Sequence, residues 1–262
     1  MILDQIIADR KRAVEAHKEQ YSITKLMGDI EYQNFAAVDF KKALKKEDGS
    51  PINIIAEVKK ASPSKGLICQ DFDYLGIAKD YERGGASAIS VLTEPKYFQG
   101  DNSYLTAIKE KVRLPILRKD FIIDEWQIYE AKSIGADAIL LIVAALSKTQ
   151  LRSYLRLARS FKLQTLVETH DEKEVETALA AGAEIIGVNN RNLQTFEVSL
   201  ETSAKLRTLV PKDKVFVAES GIRTIEDIAI LKKLGCDAVL IGESLMIASN
   251  REEKVQLFKG VY

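Results

Sequence analysis

Eight short apolar runs, rich in β-branched residues, alternate with helix-length segments from residue 52 onward, and this alternation restricts the fold more than any other feature. Each run is continuously apolar, as in strands that are buried on both faces. Eight such strands with intervening helices predict a parallel sheet with crossover helices. The predicted strands are Ile52–Val58, Ala88–Leu92, Ile116–Arg118, Ala138–Val143, Thr165–Glu168, Ile185–Val188, Val215–Ala218 and Ala238–Ile241.

A short repeat before every second strand favours closure of this sheet into a barrel. The repeat begins at Gly85, Gly135, Gly182 and Gly235, with spacings of 50, 47 and 53 residues, each long enough for two strand–helix units. Glycine suits the left-handed conformation just past a helix end. An open doubly wound sheet also uses such glycines, but eight regular units in 262 residues fit a barrel better. The sequence therefore predicts an α/β fold, the (β/α)8 TIM barrel.

The segment before the first strand predicts a helical extension. Apolar residues recur at helical spacing over residues 1–19, and a second helical region is expected over residues 35–46. We expect a single domain over residues 1–262, with the extension at 1–48 and the barrel at 49–262.

Charge and cysteine content argue against several classes of protein. Basic and acidic residues number 38 each, so the chain lacks the basic excess of a nucleic-acid binder. Cys69 and Cys236 form neither a disulfide framework nor a metal-ligand spacing. The longest strongly apolar run, Ala138–Leu146, is far shorter than the ~20 residues that span a bilayer, and no signal peptide precedes it. We expect a cytoplasmic protein with no nucleic-acid or membrane partner.

Charged residues at the carboxyl ends of the strands predict an acid–base site, because that end of a barrel carries the catalytic groups. Alternation places Glu57 and Lys59 on the same side of the first strand. Lys119 follows the third strand, and Glu168 ends the fifth. The alternatives are a buried structural ion pair for Glu57 and Lys59, and a solvated loop position for Lys119.

Two chemistries are open to Lys119. Beside other cations its pKa would be lowered and it could donate a proton, or it could form a Schiff base. Glu168 requires a partner to offset its desolvation, and facing Lys119 it could act as a base or a second acid. His170 lies between a strand end and the helix that starts at Asp171, so we expect a loop or capping role rather than catalysis.

The turns after the last two strands predict a phosphate site. Ser220 and Gly221 follow the seventh strand, and Gly242 and Glu243 follow the eighth. Small residues there let backbone N–H groups approach a phosphate, and a helix N-terminus favours the anion.

The turn after the sixth strand adds groups suited to a polar ligand. Asn189 suits ligand hydroxyls or carboxylates, and Arg191 suits an anion. No catalytic triad, zinc pattern, Walker loop or dinucleotide fingerprint is evident in the sequence. We therefore expect a metal-free acid–base enzyme without a cofactor, acting on a small sugar phosphate.

In their order along nearly the whole chain, these segments closely resemble the indole-3-glycerol phosphate synthases of the tryptophan pathway. The N-terminal helical extension is also typical of that family. The motifs that carry the resemblance are Glu57–Ser64, Val91–Gly100, Leu117–Ile122, Leu166–Glu168, Gly187–Leu193, Ala218–Ile222 and Leu240–Met246.

The resemblance implies a ring closure of 1-(2-carboxyphenylamino)-1-deoxyribulose 5-phosphate to indole-3-glycerol phosphate, with loss of carbon dioxide and water. It makes Lys119 the general acid that polarises the ketone, and Glu168 an acid–base group for the intermediate. Glu57 and Lys59 assist them.

The remaining site residues are assigned by the same resemblance. Asn189 and Glu219 line the pocket, and Phe98 and Phe121 form an apolar wall for the anthranilate ring. The phosphate cradle comprises Ser62, Ser220, Gly221, Gly242 and Glu243. Where some relatives carry Ser, this chain has Glu243, whose backbone N–H alone could serve a phosphate. Family members often have Gly soon after the Ser-Pro-Ser of the first loop. Here Lys65 stands between that motif and Gly66, which can change the flexibility of the loop.

Two rival functions predict different residues. A barrel of the phosphoribosylanthranilate isomerase type needs a Cys–Asp pair at strand ends, and neither cysteine occupies one. A non-catalytic sugar-phosphate-binding barrel would lack at least one of the four central charged residues, all of which are present. We expect a monomer, and association with other tryptophan-pathway enzymes stays open.

Overall fold

Eight parallel strands form a closed barrel in the computed structural model, which describes residues 2–33, 35–47, 49–192 and 195–260. Neighbours along the chain pair in order, and the eighth strand pairs with the first. The predicted barrel is confirmed, and the open sheet is wrong. The strands are Asn53–Val58 (β1), Ala88–Leu92 (β2), Ile116–Lys119 (β3), Ala138–Ile142 (β4), Gln164–Thr169 (β5), Ile185–Asn189 (β6), Val215–Glu219 (β7) and Ala238–Ile241 (β8).

Helices follow the strands on the outside of the barrel. A two-stranded hairpin, Ala61–Ser62 with Gly66–Leu67, and a short 3-10 turn at Val143–Ala145 complete the elements. The α-helices are Ile2–Gln20 (α1), Ile23–Tyr32 (α2), Phe40–Leu44 (α3), Tyr74–Arg83 (α4), Pro95–Phe98 (α5), Asn102–Lys109 (α6), Trp126–Ser133 (α7), Lys148–Ser160 (α8), Glu172–Ala181 (α9), Glu201–Arg207 (α10), Ile225–Lys233 (α11), Glu243–Met246 (α12) and Arg251–Lys259 (α13).

The period of two along each strand separates two buried layers. One set of alternate strand residues packs against the helices, and the other packs inside the barrel. Ile55 of β1 and Leu166 of β5 belong to the inner layer. Two residues later on the same faces come Glu57 and Glu168, so the alternation that fills the barrel also places carboxylates at its mouth.

The repeated glycines behave as predicted. Gly85, Gly135, Gly182 and Gly235 have φ values of 84°, 92°, 92° and 80°, which is the left-handed region. Each follows a helix and precedes an even-numbered strand. The repeat therefore marks the return of the chain to the amino end of the barrel.

The described residues of the N-terminal extension form three helices. The predicted helix over residues 1–19 is observed as α1, and only α3 forms within the predicted region 35–46. The sequence did not predict α2. Met1, Asp48 at the end of the predicted extension, and Leu193 in the sixth-strand motif lie outside the described residues.

Buried apolar side chains pack the extension against the barrel. Val14 of α1 and Leu26 of α2 form a buried cluster with Trp126 of α7. Phe40 and Leu44 of α3 join the inner layer and close the amino end of the barrel. In the described part of the chain, no helix combines the length and apolar character that crossing a bilayer requires.

Candidate active site

A cavity of about 720 Å³ opens at the carboxyl ends of the strands. All fourteen residues that the sequence singled out lie on its wall, although they come from seven different turns or strand ends. They are Glu57, Lys59, Ser62, Phe98, Lys119, Phe121, Glu168, Asn189, Arg191, Glu219, Ser220, Gly221, Gly242 and Glu243.

Lys119 occupies the centre of the charged groups. Its Nζ lies 3.6 Å from Glu219 Oε2 and 3.8 Å from Glu168 Oε2. Burial alone would lower the pKa of Lys119, but Glu219, Glu168 and Glu57 outweigh it and raise that pKa above its usual value. The expectation of a lowered pKa beside other cations is therefore wrong, because the groups nearest the ammonium are carboxyl groups and not cations. A neutral amine, which Schiff-base formation needs, is disfavoured.

The pair formed by Glu57 and Lys59 faces the same cavity. Lys59 Nζ donates to Glu57 Oε1 at 2.6 Å. Burial raises the pKa of Glu57, and the charges of Lys59 and Lys119 more than reverse that effect, so the pKa is lowered overall. Gly242 makes room for the pair, because a Cβ there would lie 2.3 Å from Glu57 Oε1. Glu57 and Lys59 therefore form the buried ion pair of the alternative interpretation, and both also lie on the cavity wall.

Glu168 is held from two sides. Asn189 Nδ2 donates to Glu168 Oε1 at 3.3 Å, and His170 Nε2 lies 3.3 Å from the same oxygen. Burial opposes ionisation of this carboxyl, but His170, Lys119 and Asn189 together hold its pKa well below the usual range. The contact with His170 was missed by the sequence analysis, which expected only a loop or capping role for that residue.

Glu219 has the opposite electrostatic environment. It is almost completely buried, and its Oε1 has no hydrogen-bond partner among the described residues. Burial is the largest cause of its raised pKa; Lys119 opposes that rise, and the charges of Glu168 and Glu57 add to it. Two neighbouring carboxyl groups thus favour different protonation states, a pattern typical of acid–base sites.

The predicted phosphate turns follow the neighbouring strands β7 and β8 and lie side by side on the cavity wall, where Ser244 Oγ donates to the Ile222 carbonyl at 3.0 Å. Ser220 and Gly221 have φ values of 66° and 82°, so the chain turns sharply after β7. Beside them, α12 begins at Glu243, directly after Gly242. The Glu243 carboxylate lies 3.5 Å from Lys65 Nζ of the hairpin loop. The Glu243 side chain therefore pairs with Lys65, and its backbone N–H is the group that can donate to an anion.

An apolar wall and one cation complete the site. The rings of Phe98 and Phe121 have centroids 6.1 Å apart. Arg191 is positioned through its backbone N–H, which donates to Asn189 Oδ1 at 3.0 Å, and its Nη1 donates to the Phe196 carbonyl at 3.4 Å. These groups could hold an aromatic ring next to an anionic substituent.

Some cavity residues were not found from the sequence. Three come from the apolar face of α1, namely Ile2, Leu3 and Ile6, and two cationic ones are Arg223 and Lys254. Helical periodicity identified the face of α1 as apolar, but it could not say which surface that face contacts.

Comparison with known proteins gives consistent matches. The family model described as indole-3-glycerol phosphate synthase matches residues 3–258. A protein of that name from Endomicrobium trichonymphae is 55% identical over 99% of this chain and 100% of its own length. Another, from Acetivibrio thermocellus, is 52% identical over 100% of both chains.

Among solved structures, the fold resembles 3-hexulose-6-phosphate synthase from Salmonella typhimurium. The TM-score is 0.66 with 18% sequence identity, over 80% of this chain and 98% of that one. At this identity the likeness shows the barrel fold alone.

Proposed function

The chain belongs to the indole-3-glycerol phosphate synthase family, and from this premise we propose how its cavity residues divide the reaction. The enzyme closes the pyrrole ring of 1-(2-carboxyphenylamino)-1-deoxyribulose 5-phosphate and releases carbon dioxide and water. A carbon–carbon bond forms between the anthranilate ring and the ketone carbon, the carboxylate leaves as carbon dioxide, and the hydroxyl that was the ketone oxygen leaves as water. These steps place the enzyme in tryptophan biosynthesis.

The observation that carries the proposal is the ammonium of Lys119 between three carboxyl groups in the cavity. A raised pKa keeps the lysine protonated at neutral pH, so it can donate a proton to the ketone oxygen as the ring carbon attacks. Lys59, paired with Glu57, adds a second ammonium beside the developing negative charge.

Glu168 and Glu219 take different roles because their environments differ. Glu168 is ionised at neutral pH, and we assign it the base that removes the proton from the carbon next to the former ketone during dehydration. Glu219 favours the neutral form and can give its proton to the departing hydroxyl, which then leaves as water. Asn189 orients Glu168 through its side-chain amide.

Substrate binding follows from the remaining cavity groups. The phosphate is assigned to Ser62, Ser220, Gly221, Gly242 and the backbone of Glu243. The anthranilate ring is assigned to the space beside Phe98 and Phe121, with its carboxylate toward Arg191. This orientation brings the ketone to the charged groups between the two ends of the substrate.

We further propose a single domain over residues 1–262 that acts in the cytoplasm as a monomer. Packing of α3 into the barrel supports the single domain, and the two free thiols, Cys69 and Cys236, fit a reducing compartment.

Replacement of Lys119 tests the proposal. Wild-type protein should convert the carboxyphenylamino sugar phosphate to a product with indole fluorescence, and Lys119→Ala should lose at least ~10²-fold in kcat, the range for general acid catalysis. Lys79→Ala, on the exposed surface of α4, is the matched control and should keep full activity. No turnover by folded wild type would contradict the reaction, and unchanged turnover by Lys119→Ala would contradict the assignment of the acid.

A further inference from the structure

His170 contacts the Glu168 oxygen that does not face Lys119, and it is not one of the residues on the wall of the substrate cavity. Its ring borders a second, smaller cavity that also contacts Asp171 and Glu174. We infer that His170 is a positioning residue for the ring closure, which supplies positive charge behind Glu168 and fixes the carboxylate toward Lys119. This inference rests on the role proposed above for Glu168.

The two oxygens of Glu168 have separate neighbours. Oε2 points to Lys119 Nζ at 3.8 Å, on the cavity side. Oε1 has His170 Nε2 at 3.3 Å and Asn189 Nδ2 at 3.3 Å. Rotation of the carboxylate away from Lys119 would break both contacts at Oε1, so His170 and Asn189 together determine which oxygen faces the substrate.

Glu174 fixes the imidazole from the opposite side. Its Oε2 accepts the backbone N–H of His170 at 2.8 Å and lies 2.9 Å from Nδ1. The ring therefore lies between two carboxylates. Its Nδ1 is hydrogen-bonded to Glu174, whereas its buried Nε2 has no hydrogen-bond partner among the described residues and faces Glu168 Oε1 at 3.3 Å, the contact of an ion pair if the ring is protonated. Burial alone would lower the pKa of His170, but Glu168 and Glu174 raise it to about 10.

Capping alone does not account for this arrangement. The N-cap of α9 is Asp171, whose side chain accepts the Glu174 backbone N–H at 2.9 Å. The helix start is therefore satisfied without the His170 ring. The other charged groups around the pair are Lys119, Glu219 and Glu57 on the cavity side of Glu168, and Asp171, Arg191 and Glu197 on the wall of the second cavity.

The pH dependence of kcat tests this role. The His170→Asn variant lacks the positive charge next to Glu168, so the pKa of Glu168 rises. As the pH is lowered, Glu168 is then protonated at a higher pH than in the wild type. We expect the acidic limb of kcat to move up by about one pH unit, within the range for an opposite charge at this distance. The loss in kcat should therefore be smallest at pH 8, where Glu168 is ionised in both proteins, and should grow as the pH falls toward the acidic limb. KM should change less than about twofold, because His170 does not line the substrate cavity.

Two variants separate charge from structure. His170→Gln keeps a hydrogen-bond donor without the charge and should show the same shift of the acidic limb, even if His170→Asn folds poorly. The matched control is His17→Asn, which removes the other of the two histidines from an exposed position on α1 and should leave the profile unchanged. An acidic limb at the wild-type position in both His170 variants would overturn the inference.

A titration of the imidazole tests the contact without any activity. In His17→Asn protein the only imidazole is that of His170, so its NMR signals are unambiguous. They should remain those of the protonated ring up to at least pH 8. In the double variant His17→Asn/Glu168→Gln its pKa should fall, because the coupling between two charges is reciprocal. Titration near the ordinary value of 6.5 in the single variant, or no response to Glu168→Gln, would overturn the inference.

The outcomes also distinguish this inference from the proposed function. Full activity of Glu168→Gln would contradict the role of Glu168, and the inference that depends on it. An impaired Glu168→Gln together with an unshifted acidic limb in the His170 variants would contradict the inference alone.

Discussion

Gly187 leaves space inside the barrel for the side chain of Glu219. Gly187 lies on the inner face of β6, beside Glu219 of β7. A Cβ at this position would lie only 2.2 Å from Glu219 Oε1 and 3.1 Å from Leu166 Cδ1. The buried carboxyl group thus occupies space that any other residue would fill.

We predict that Gly187→Ala lowers kcat by about tenfold or more, equivalent to ~1.4 kcal/mol of transition-state stabilisation, because Glu219 must move. The barrel should still fold, since the displaced atom ends a flexible side chain. Steady-state kinetics with circular dichroism as a folding check would measure this. Gly28→Ala is the control: a Cβ there meets nothing within 4 Å, and helix propensity should raise stability by about 0.5–1 kcal/mol at full activity. Equal kinetics in both variants would contradict the prediction.

Helix α1 joins the extension to the site through one buried ion pair. Arg10 Nη2 donates to Asp120 Oδ2 at 2.8 Å, and Asp120 is the neighbour of Lys119 in the chain. The same helix places Ile2, Leu3 and Ile6 on the cavity wall. Docking of α1 therefore affects both the stability of the protein and the shape of the cavity.

Replacing Arg10 by Met keeps the apolar stem and removes the charged hydrogen bond. Arg118 and Thr93 still contact the Asp120 carboxylate, so the cost should be that of one charged hydrogen bond, about 1.5–3 kcal/mol in free energy of unfolding. We expect KM to rise more than kcat falls, because the wall of the cavity loosens. Denaturant unfolding and steady-state kinetics measure the two effects. Arg12→Met, whose side chain is 78% exposed on the same helix, should change stability by less than about 1 kcal/mol. Comparable losses in the two variants would refute a special role for the buried pair.

The elements differ in how well the sequence predicts them. Continuous apolar runs located the strands, because both faces of each strand are buried, and apolar residues at helical spacing located α1, because one face of that helix is buried. Helix α2 was missed, since it is short and Gly28 in its interior lowers helix propensity. The docking of α1 was also not predictable, because its partner Asp120 lies 110 residues away in the chain.

At the scale of the whole barrel, strand order determines the site. The sequence predicted which residues lie at the mouth, because alternation along each strand fixes the side and parallel pairing fixes the end. The sequence analysis predicted a lowered pKa for Lys119, whereas its surroundings in the structure raise that pKa. Its carboxylate neighbours come from β1, β5 and β7, and only closure brings those strands around β3. The contact between His170 and Glu168 was missed for a local reason, the direction of a side chain in a turn.

The opposite end of the barrel serves stability, and the glycine repeat contributes there. Asp137 and Asp237 occupy the same position in the repeat, two residues after Gly135 and Gly235. Asp137 Oδ2 accepts the backbone N–H of Ile116 at 2.8 Å, and Asp237 Oδ2 accepts that of Phe216 at 2.9 Å. Each aspartate therefore binds the start of the preceding strand.

The lysine partners of these two aspartates differ in burial, which gives a matched pair of substitutions. Lys109 Nζ lies 2.7 Å from Asp137, and its side chain is only 5% exposed. The corresponding partner of Asp237 is Lys45, which is 40% exposed. We predict that Asp137→Asn costs about 3–5 kcal/mol in free energy of unfolding, because it leaves a buried ammonium without its counter-charge.

Asp237→Asn should cost about 1 kcal/mol, since water solvates Lys45. Both variants should keep the wild-type kcat at temperatures well below their melting points, because neither aspartate lines the cavity. Thermal or denaturant unfolding, combined with kinetics at low temperature, measures both quantities. Equal losses of stability would show that the strand-start hydrogen bond matters more than the burial of the lysine. A loss of kcat in either variant would show that the two ends of the barrel are coupled, contrary to the separation argued here.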